Sequence, residues 1–285
     1  MSILVFGKNG QLSRALQRSL TARGAEFSCY GRKELDLIAH PENAAQLIRK
    51  LSPDAVINGC AFTDVDGAEK QAAEANILNA KAPGIMAAAC AKADIPFIHI
   101  STDYVFDGEK SGAYHPTDKR NPLNTYGRSK AAGERAVMAA GGQSLILRTS
   151  WVYDGTGQNF MTTMLRLAAS ETHLNLVSTQ FGRPTYAGHL AEACLAALET
   201  MPAQPKIYHV SNSGPVISWA DFAEAIFDHA KLHPDVTRVS SDHFPRPAKR
   251  PDNSALDITD FERDFQHPLQ PWQMGLELAF QERNT

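Results

Sequence analysis

Cysteine is sparse in this 285-residue chain, and its four copies, Cys29, Cys60, Cys90 and Cys194, lie far apart with no CxxC pair. That spacing argues against both a disulfide framework and a thiolate zinc site. Long apolar runs are missing too, so no membrane span is expected where one would need about 20 such residues. Met1 and Ser2 lead directly into Ile3-Leu4-Val5-Phe6, without the charged and apolar regions of a secretory leader. Neither sign of charge dominates: the formal net charge of −3 provides no global attraction to nucleic acid or anionic lipid. There is no internal repeat, low-complexity tract or heptad run. What remains is the composition of an ordinary globular protein, expected to be soluble and cytoplasmic and long enough for one or two domains.

What is present is alternation. Ile3–Phe6 reads as a buried strand, after which Leu12, Ala15, Leu16, Ser19 and Leu20 trace one helical face. Ala55-Val56-Ile57-Asn58, Phe97-Ile98-His99-Ile100 and Leu145-Ile146-Leu147 read as further strands. An Ala-rich segment from Glu69 to Ala93 reads as helix, beginning anew or kinking near Pro83. This order predicts an α/β fold, a doubly wound parallel sheet of Rossmann type. From Trp151 onward proline and aromatic residues become denser. Residues 1–150 are therefore expected to form a dinucleotide-binding domain and 151–285 a smaller, mainly substrate-binding one, with segments returning to the first.

The turn after the first strand, Gly7-Lys8-Asn9-Gly10-Gln11-Leu12-Ser13, has the placement of a phosphate-binding loop. Glycines there permit a tight turn and let backbone N–H groups approach a pyrophosphate at the helix N-terminus. Its spacing is GxxGxxS rather than GxGxxG, with Ser13 where a third glycine would ease helix–strand packing. Gly7, Asn9, Gly10, Gln11 and Leu12 are the expected cofactor contacts. The second strand ends Tyr30-Gly31-Arg32-Lys33, with no acid at its tip to accept from a ribose 2′-hydroxyl. Arg32 is the expected ligand of a 2′-phosphate, and Asp36 and Leu37 the start of the adenine-side wall. The expected cofactor is NADPH, with NADH an alternative left open.

Tyr126-Gly127-Arg128-Ser129-Lys130 follows the loop at Asn121-Pro122. Residues i and i+4 of a helix share a face, so the phenol and the ammonium can enter one cleft. There the ammonium is expected to lower the phenol's pKa from about 10 and fit it for proton transfer. A lone YxxxK is more often a surface Tyr beside a solvated Lys; the glycine loop, Ser101-Thr102 at a strand end and the Pro-Leu-Asn-Thr lead-in favour chemistry. His229 and His233 have zinc-compatible spacing, but no Glu lies between them, so they read as surface histidines. Asp64 and Asp66 read as the solvated start of a helix. Arg183 and Arg250, each next to a proline, suit either a diphosphate or the solvent.

Together these segments resemble the extended short-chain dehydrogenase/reductase family. The resemblance also rests on Ser101-Thr102-Asp103-Tyr104-Val105-Phe106-Asp107-Gly108, Arg148-Thr149-Ser150-Trp151-Val152-Tyr153, Gln180-Phe181-Gly182-Arg183-Pro184-Thr185 and Arg250-Pro251-Asp252-Asn253-Ser254. It implies a catalytic set of Thr102, Tyr126 and Lys130, and NADPH-dependent reduction of the C4′ ketone of a nucleotide-linked 4-keto-6-deoxyhexose. Tyr126 would protonate the forming alkoxide, Thr102 would bond the same oxygen, and Lys130 would hold the nicotinamide ribose. Asp103, Tyr104 and Trp151 would contact the sugar. Ala61 and Thr63 would line the cofactor cleft, with Val65 on its substrate side and Asn79 close by. Some relatives bind magnesium at a dimer interface through a Glu where Ala15 stands here, so no metal is expected and the chain is read as monomer or homodimer. Two other readings share the fold: a sugar-nucleotide dehydratase or epimerase, and a non-catalytic subunit like the regulatory subunit of methionine adenosyltransferase. Tyr104 after Thr-Asp, where dehydratases carry Glu, argues against elimination.

Overall fold

The structure is a computed structural model describing residues 1–283. Its first half runs β1 (Ser2–Phe6), α1 (Gln11–Ala22), β2 (Glu26–Tyr30), α2 (Asn43–Leu51) and β3 (Ala55–Asn58). Then come α3 (Val65–Lys70), α4 (Ala72–Asn76), a π-turn (Ile77–Lys81), α5 (Ala82–Lys92), β4 (Phe97–Thr102), a 3-10 turn (Asp103–Val105), α6 (Thr125–Ala140) and β5 (Ser144–Thr149). The second half begins β6 (Val152–Tyr153), α7 (Phe160–Ser170), β7 (His173–Val177), β8 (Phe181–Gly182), β9 (Thr185–Tyr186) and α8 (Ala187–Glu199). It ends with β10 (Lys206–His209), β11 (Ile217–Ser218), α9 (Trp219–Ala230), β12 (Asp235–Val239), α10 (Thr259–Phe265) and α11 (Trp272–Arg283).

Six strands form one parallel sheet in the order β10-β5-β4-β3-β1-β2. The middles of these strands are mostly apolar because helices cover both faces, and polar residues gather toward their ends. On one face Leu12, Ala15, Leu16 and Leu20 of α1 pack with Leu190, Ala191 and Cys194 of α8; on the other lie Ile48, Met86, Ala87 and Val137. β10 joins this sheet although it follows Trp151, as α8 joins its covering layer. Strand order reverses between β1 and β3, opening a crevice at their C-terminal ends where ligands of such sheets bind. A separate apolar cluster gathers α7, α9 and α11 around Phe222, Ile226 and Trp272.

The helix expected from Glu69 to Ala93 is broken earlier than Pro83. Gln71 leaves helical geometry at φ −120° and ψ 43°, and the chain then underwinds through Ile77–Lys81, where Ala82 N–H reaches back to Ile77 C=O. Pro83 has no N–H for the Asn79 carbonyl four residues before it, so the ladder widens there and α5 restarts with Pro83 in its first turn. The freed segment lies against α6 at Gly133, where a Cβ would collide with the Asn79 carbonyl oxygen. Gly133→Ala is therefore expected to destabilise the fold by about 1–3 kcal/mol through overpacking, read as a lower denaturant midpoint; an unchanged midpoint would mean that the contact yields freely.

Candidate active site

The glycine loop lies at the crevice. Gly7 has φ +105°, and a Cβ there would meet the Cys60 backbone nitrogen at 3.0 Å, so only glycine lets β1 and the loop after β3 approach this closely. Gly7 N–H donates to Tyr30 C=O at 2.9 Å, and Gly59 N–H to Phe6 C=O at 3.0 Å. Gly10 caps α1 with no side-chain hydrogen bond, and the first turn holds no acid. The free N–H groups and unopposed dipole of that helix end fit a pyrophosphate. Gln11 is tied to Val152 C=O at 3.1 Å, while its own carbonyl oxygen is buried without a partner. Asn9 is exposed, Leu12 is buried, and Ser13 is fully buried beneath the loop. Ala61, Thr63 and Val65 follow β3 as expected. Asn79 bonds Phe62 through both ends of its amide and accepts no role in solvent: its Nδ2 also reaches Ser129 Oγ at 2.9 Å. Arg32 points outward, 74% exposed and paired only with Asp36 at 3.4 Å, while Asp36 closes its turn on Ile38 and Ala39 and Leu37 is buried.

Thr102 ends β4, and Tyr126 and Lys130 lie on the first two turns of α6. Asn124 caps that helix by accepting from Gly127 N–H at 2.8 Å. Gly127 lets the helix end press on Tyr104, whose carbonyl oxygen a Cβ would strike. Tyr104 and Tyr126 meet edge to face at 5.7 Å. Thr102 Oγ1 donates to Asp103 Oδ1 at 2.8 Å and accepts from Tyr104 N–H at 3.2 Å. The expected acidification of Tyr126 by Lys130 is not what the structure gives. Burial pushes the phenol up to about 12, and the partly opposing influence is the Thr102 hydroxyl, with the Asp103 carboxylate adding to the rise. Lys130 instead donates to Ile100 C=O at 2.6 Å, and burial lowers its pKa to about 8. His99 lies 3.5 Å from the Lys130 nitrogen. Cys60 N–H donates to Asn58 Oδ1, which turns the Asn58 amide nitrogen toward His99 Nδ1 at 3.0 Å. His99 accepts there through Nδ1. Burial and the Lys130 ammonium hold the imidazole neutral.

Behind this set lies an ion-pair network that sequence reading missed. Glu134, one turn beyond Lys130, accepts from Arg148 Nε and Nη2 at 2.8 and 2.7 Å, Arg120 Nη1 at 3.0 Å and Ser101 Oγ at 2.6 Å. Burial opposes its charge, but Arg148, Ser101 and Arg120 outweigh it and hold the carboxyl below the usual range.

Beside Tyr104 opens a cleft of about 990 Å³, lined by Phe160, Trp219, Arg246, Lys249 and Arg250 among others. Trp151 stacks on Trp219 at 3.5 Å and 10°, with its own backbone in the left-handed region at φ +50°. Arg250 forms a bidentate pair with Asp66 at 3.1 and 2.8 Å, so Asp66 is not simply a solvated helix-start acid. Arg183 does not line this cleft: its guanidinium donates to the Gly214 and Leu256 carbonyls at 2.9 and 2.8 Å. Trp219 carried no sequence signal beyond its aromaticity, and Asp66 is 184 residues from its partner.

A glycine-lined dinucleotide crevice opening beside Thr, Tyr and Lys side chains defines a nicotinamide-dependent oxidoreductase of the short-chain dehydrogenase/reductase class. A family model described as RmlD substrate binding domain matches residues 1–285. The dTDP-4-dehydrorhamnose reductase of Burkholderia thailandensis is 38% identical over 98% of each chain. That of Mycobacterium tuberculosis is 41% identical, over 97% of this chain and 91% of its own. The dTDP-4-dehydrorhamnose reductase of Bacillus anthracis, solved in complex with NADP, superposes with a TM-score of 0.93 at 33% identity, covering 99% of both chains. The chain belongs to the dTDP-4-dehydrorhamnose reductase family.

Asp103 supplies a pH test of this geometry. Burial lifts its carboxyl to about 6, against the opposing hydrogen bonds of the Thr102 and Ser254 side chains. Between about pH 4 and 6 the native state therefore binds more protons than the unfolded chain, and stability falls as pH rises. Asp103→Asn removes that loss. The stability of the variant relative to the parent is expected to be more favourable at pH 7.5 than at pH 4, by about 2 kcal/mol; equal differences in denaturant titrations at the two pH values would refute the raised pKa.

Proposed function

We propose that this chain uses NADPH to reduce the C4′ ketone of dTDP-4-dehydrorhamnose, giving dTDP-rhamnose. The observation that supports the reading is that Tyr126 meets Tyr104, a lining residue of the cleft, at 5.7 Å, while Thr102 ends the strand just before Tyr104. When bound, the cofactor supplies a hydride to the carbonyl carbon. Tyr126 donates its phenolic proton to the oxygen as negative charge develops there. A phenol held at about 12 is fully protonated at neutral pH, which suits an acid, and it still surrenders its proton to a more basic alkoxide. Thr102 turns its hydroxyl from Asp103 to the same oxygen, adding an oriented donor where charge appears. Lys130 holds the nicotinamide ribose.

Arg246, Lys249 and Arg250 place three cations along the cleft for the diphosphate, and Trp219, backed by Trp151, and Phe160 offer flat surfaces to the base and sugar. Asp103 and Tyr104 face the sugar. Val65 borders the substrate side. Arg183 is left out of this assignment. The reaction runs in the cytoplasm, in a monomer or homodimer.

Tyr126→Phe is expected to lower kcat about 10²–10⁴-fold, the range of a lost general acid, while NADPH binding is retained. Loss of NADPH absorbance on adding the keto sugar, with identification of the product, measures the first, and a fluorescence titration the second. Unchanged turnover in the variant would remove Tyr126 from its role. Redox-neutral conversion by the parent chain would replace the reductase reading with an epimerase or dehydratase.

A further inference from the structure

The tip of β2 lacks an acid in sequence, yet the fold brings one back. After Tyr30 the chain turns at once, with Glu34 N–H and Leu35 N–H both donating to Gly31 C=O at 3.1 and 2.9 Å. This turn folds the Glu34 side chain over its own beginning. Glu34 Oε2 accepts from Gly31 N–H at 3.1 Å, and Oε1 accepts from Lys8 Nζ at 2.7 Å. Lys8 belongs to the glycine loop, and a Cβ on Gly31 would lie 3.1 Å from the Lys8 Cβ, so loop and strand tip are in direct contact. One backbone N–H and one ammonium thus converge on a point at the edge of the dinucleotide crevice, and a carboxylate of the same chain already occupies it.

That point is where the adenine ribose of a dinucleotide on this fold presents either a 2′-hydroxyl or a 2′-phosphate. The two differ in what they need. A phosphate needs the donors that Glu34 now holds and is repelled by its charge. A hydroxyl can donate to the carboxylate where it stands. We infer that Glu34 sets the discrimination between phosphorylated and unphosphorylated cofactor, by occupying the seat of the 2′-phosphate until NADPH displaces it. The inference rests on the reading of this crevice as a dinucleotide site and refines the assignment of the phosphate to Arg32 alone. Arg32, exposed and loosely held by Asp36, is free to swing onto the phosphate once Glu34 has left Lys8 and the Gly31 N–H. NADH would leave the Lys8–Glu34 pair intact and bind without displacing it.

The test is calorimetric titration of the full chain with NADP⁺ and NAD⁺, for the parent, Glu34→Gln and Lys8→Met. Both replaced side chains are well exposed, so folding is not at stake. Glu34→Gln is expected to tighten NADP⁺ at least about 5-fold at low salt while NAD⁺ is unchanged or weakened, with the gain shrinking as salt screens the repulsion. Lys8→Met is expected to weaken NADP⁺ more than NAD⁺. If Glu34→Gln shifted both dinucleotides by one factor, shifted neither or weakened NADP⁺, the Lys8–Glu34 contact would be a solvated ion pair without bearing on the cofactor, and the inference would fall. If the parent chain bound neither dinucleotide, the reading of the crevice itself would fall with it.

Discussion

The buried carboxylate of Glu134 is the fixed point of the molecule. Arg148 reaches it from β5, Ser101 from β4 and Arg120 from the loop before α6, so one charge ties together the strand that ends in Thr102 and the helix that carries Tyr126 and Lys130. A carboxylate with no exposure survives only because donors surround it, and removing one partner of such a pair typically costs about 3–5 kcal/mol. The arrangement is costly as a source of stability and effective as a jig. It sets the distance between a strand end and a helix that share no covalent neighbour, and it places a negative charge one turn from Lys130, opposing the loss of its proton.

A second set of bonds connects the cleft's cationic loop to the catalytic strand ends. Asp66 on α3 holds Arg250 and accepts from Ala248 N–H, and the Asn124 amide, which caps α6, donates to Lys249 C=O at 2.7 Å. The same residue that starts the Tyr126 helix therefore also anchors the backbone between two of the cleft's cations. The start of the Tyr126 helix and the backbone of the cationic loop are coupled through one cap, and neither can shift far without the other.

Much of this was legible in the sequence because it is local. The glycine turn, the strands at Ile3–Phe6 and Phe97–Ile100, and the i, i+4 relation of Tyr126 to Lys130 all follow from spacing alone. What escaped depends on chain segments meeting across the fold. Glu34 returns to the β2 tip only through a turn, Asp66 finds Arg250 from the far end of the chain, and the π-turn at Ile77–Lys81 exists because Pro83 meets a helix already committed to packing on Gly133. The pKa of Tyr126 was misjudged for a related reason. A helical face brings the ammonium near, but burial acts on the phenol from all sides, and Lys130 spends its charge on Ile100 C=O instead.

Trp151 departs from ordinary backbone geometry, at a cost of order 1–3 kcal/mol for a non-glycine residue in the left-handed region. In return its indole is set face to face with Trp219 across the junction between β5 and α9. Both rings have surrendered their rotamer freedom during folding, before any ligand arrives. A molecule settling against them need not freeze two large side chains, each of which would otherwise subtract about 0.5–1.5 kcal/mol from its affinity. Folding has thus already met part of the entropic toll for any molecule captured against these rings.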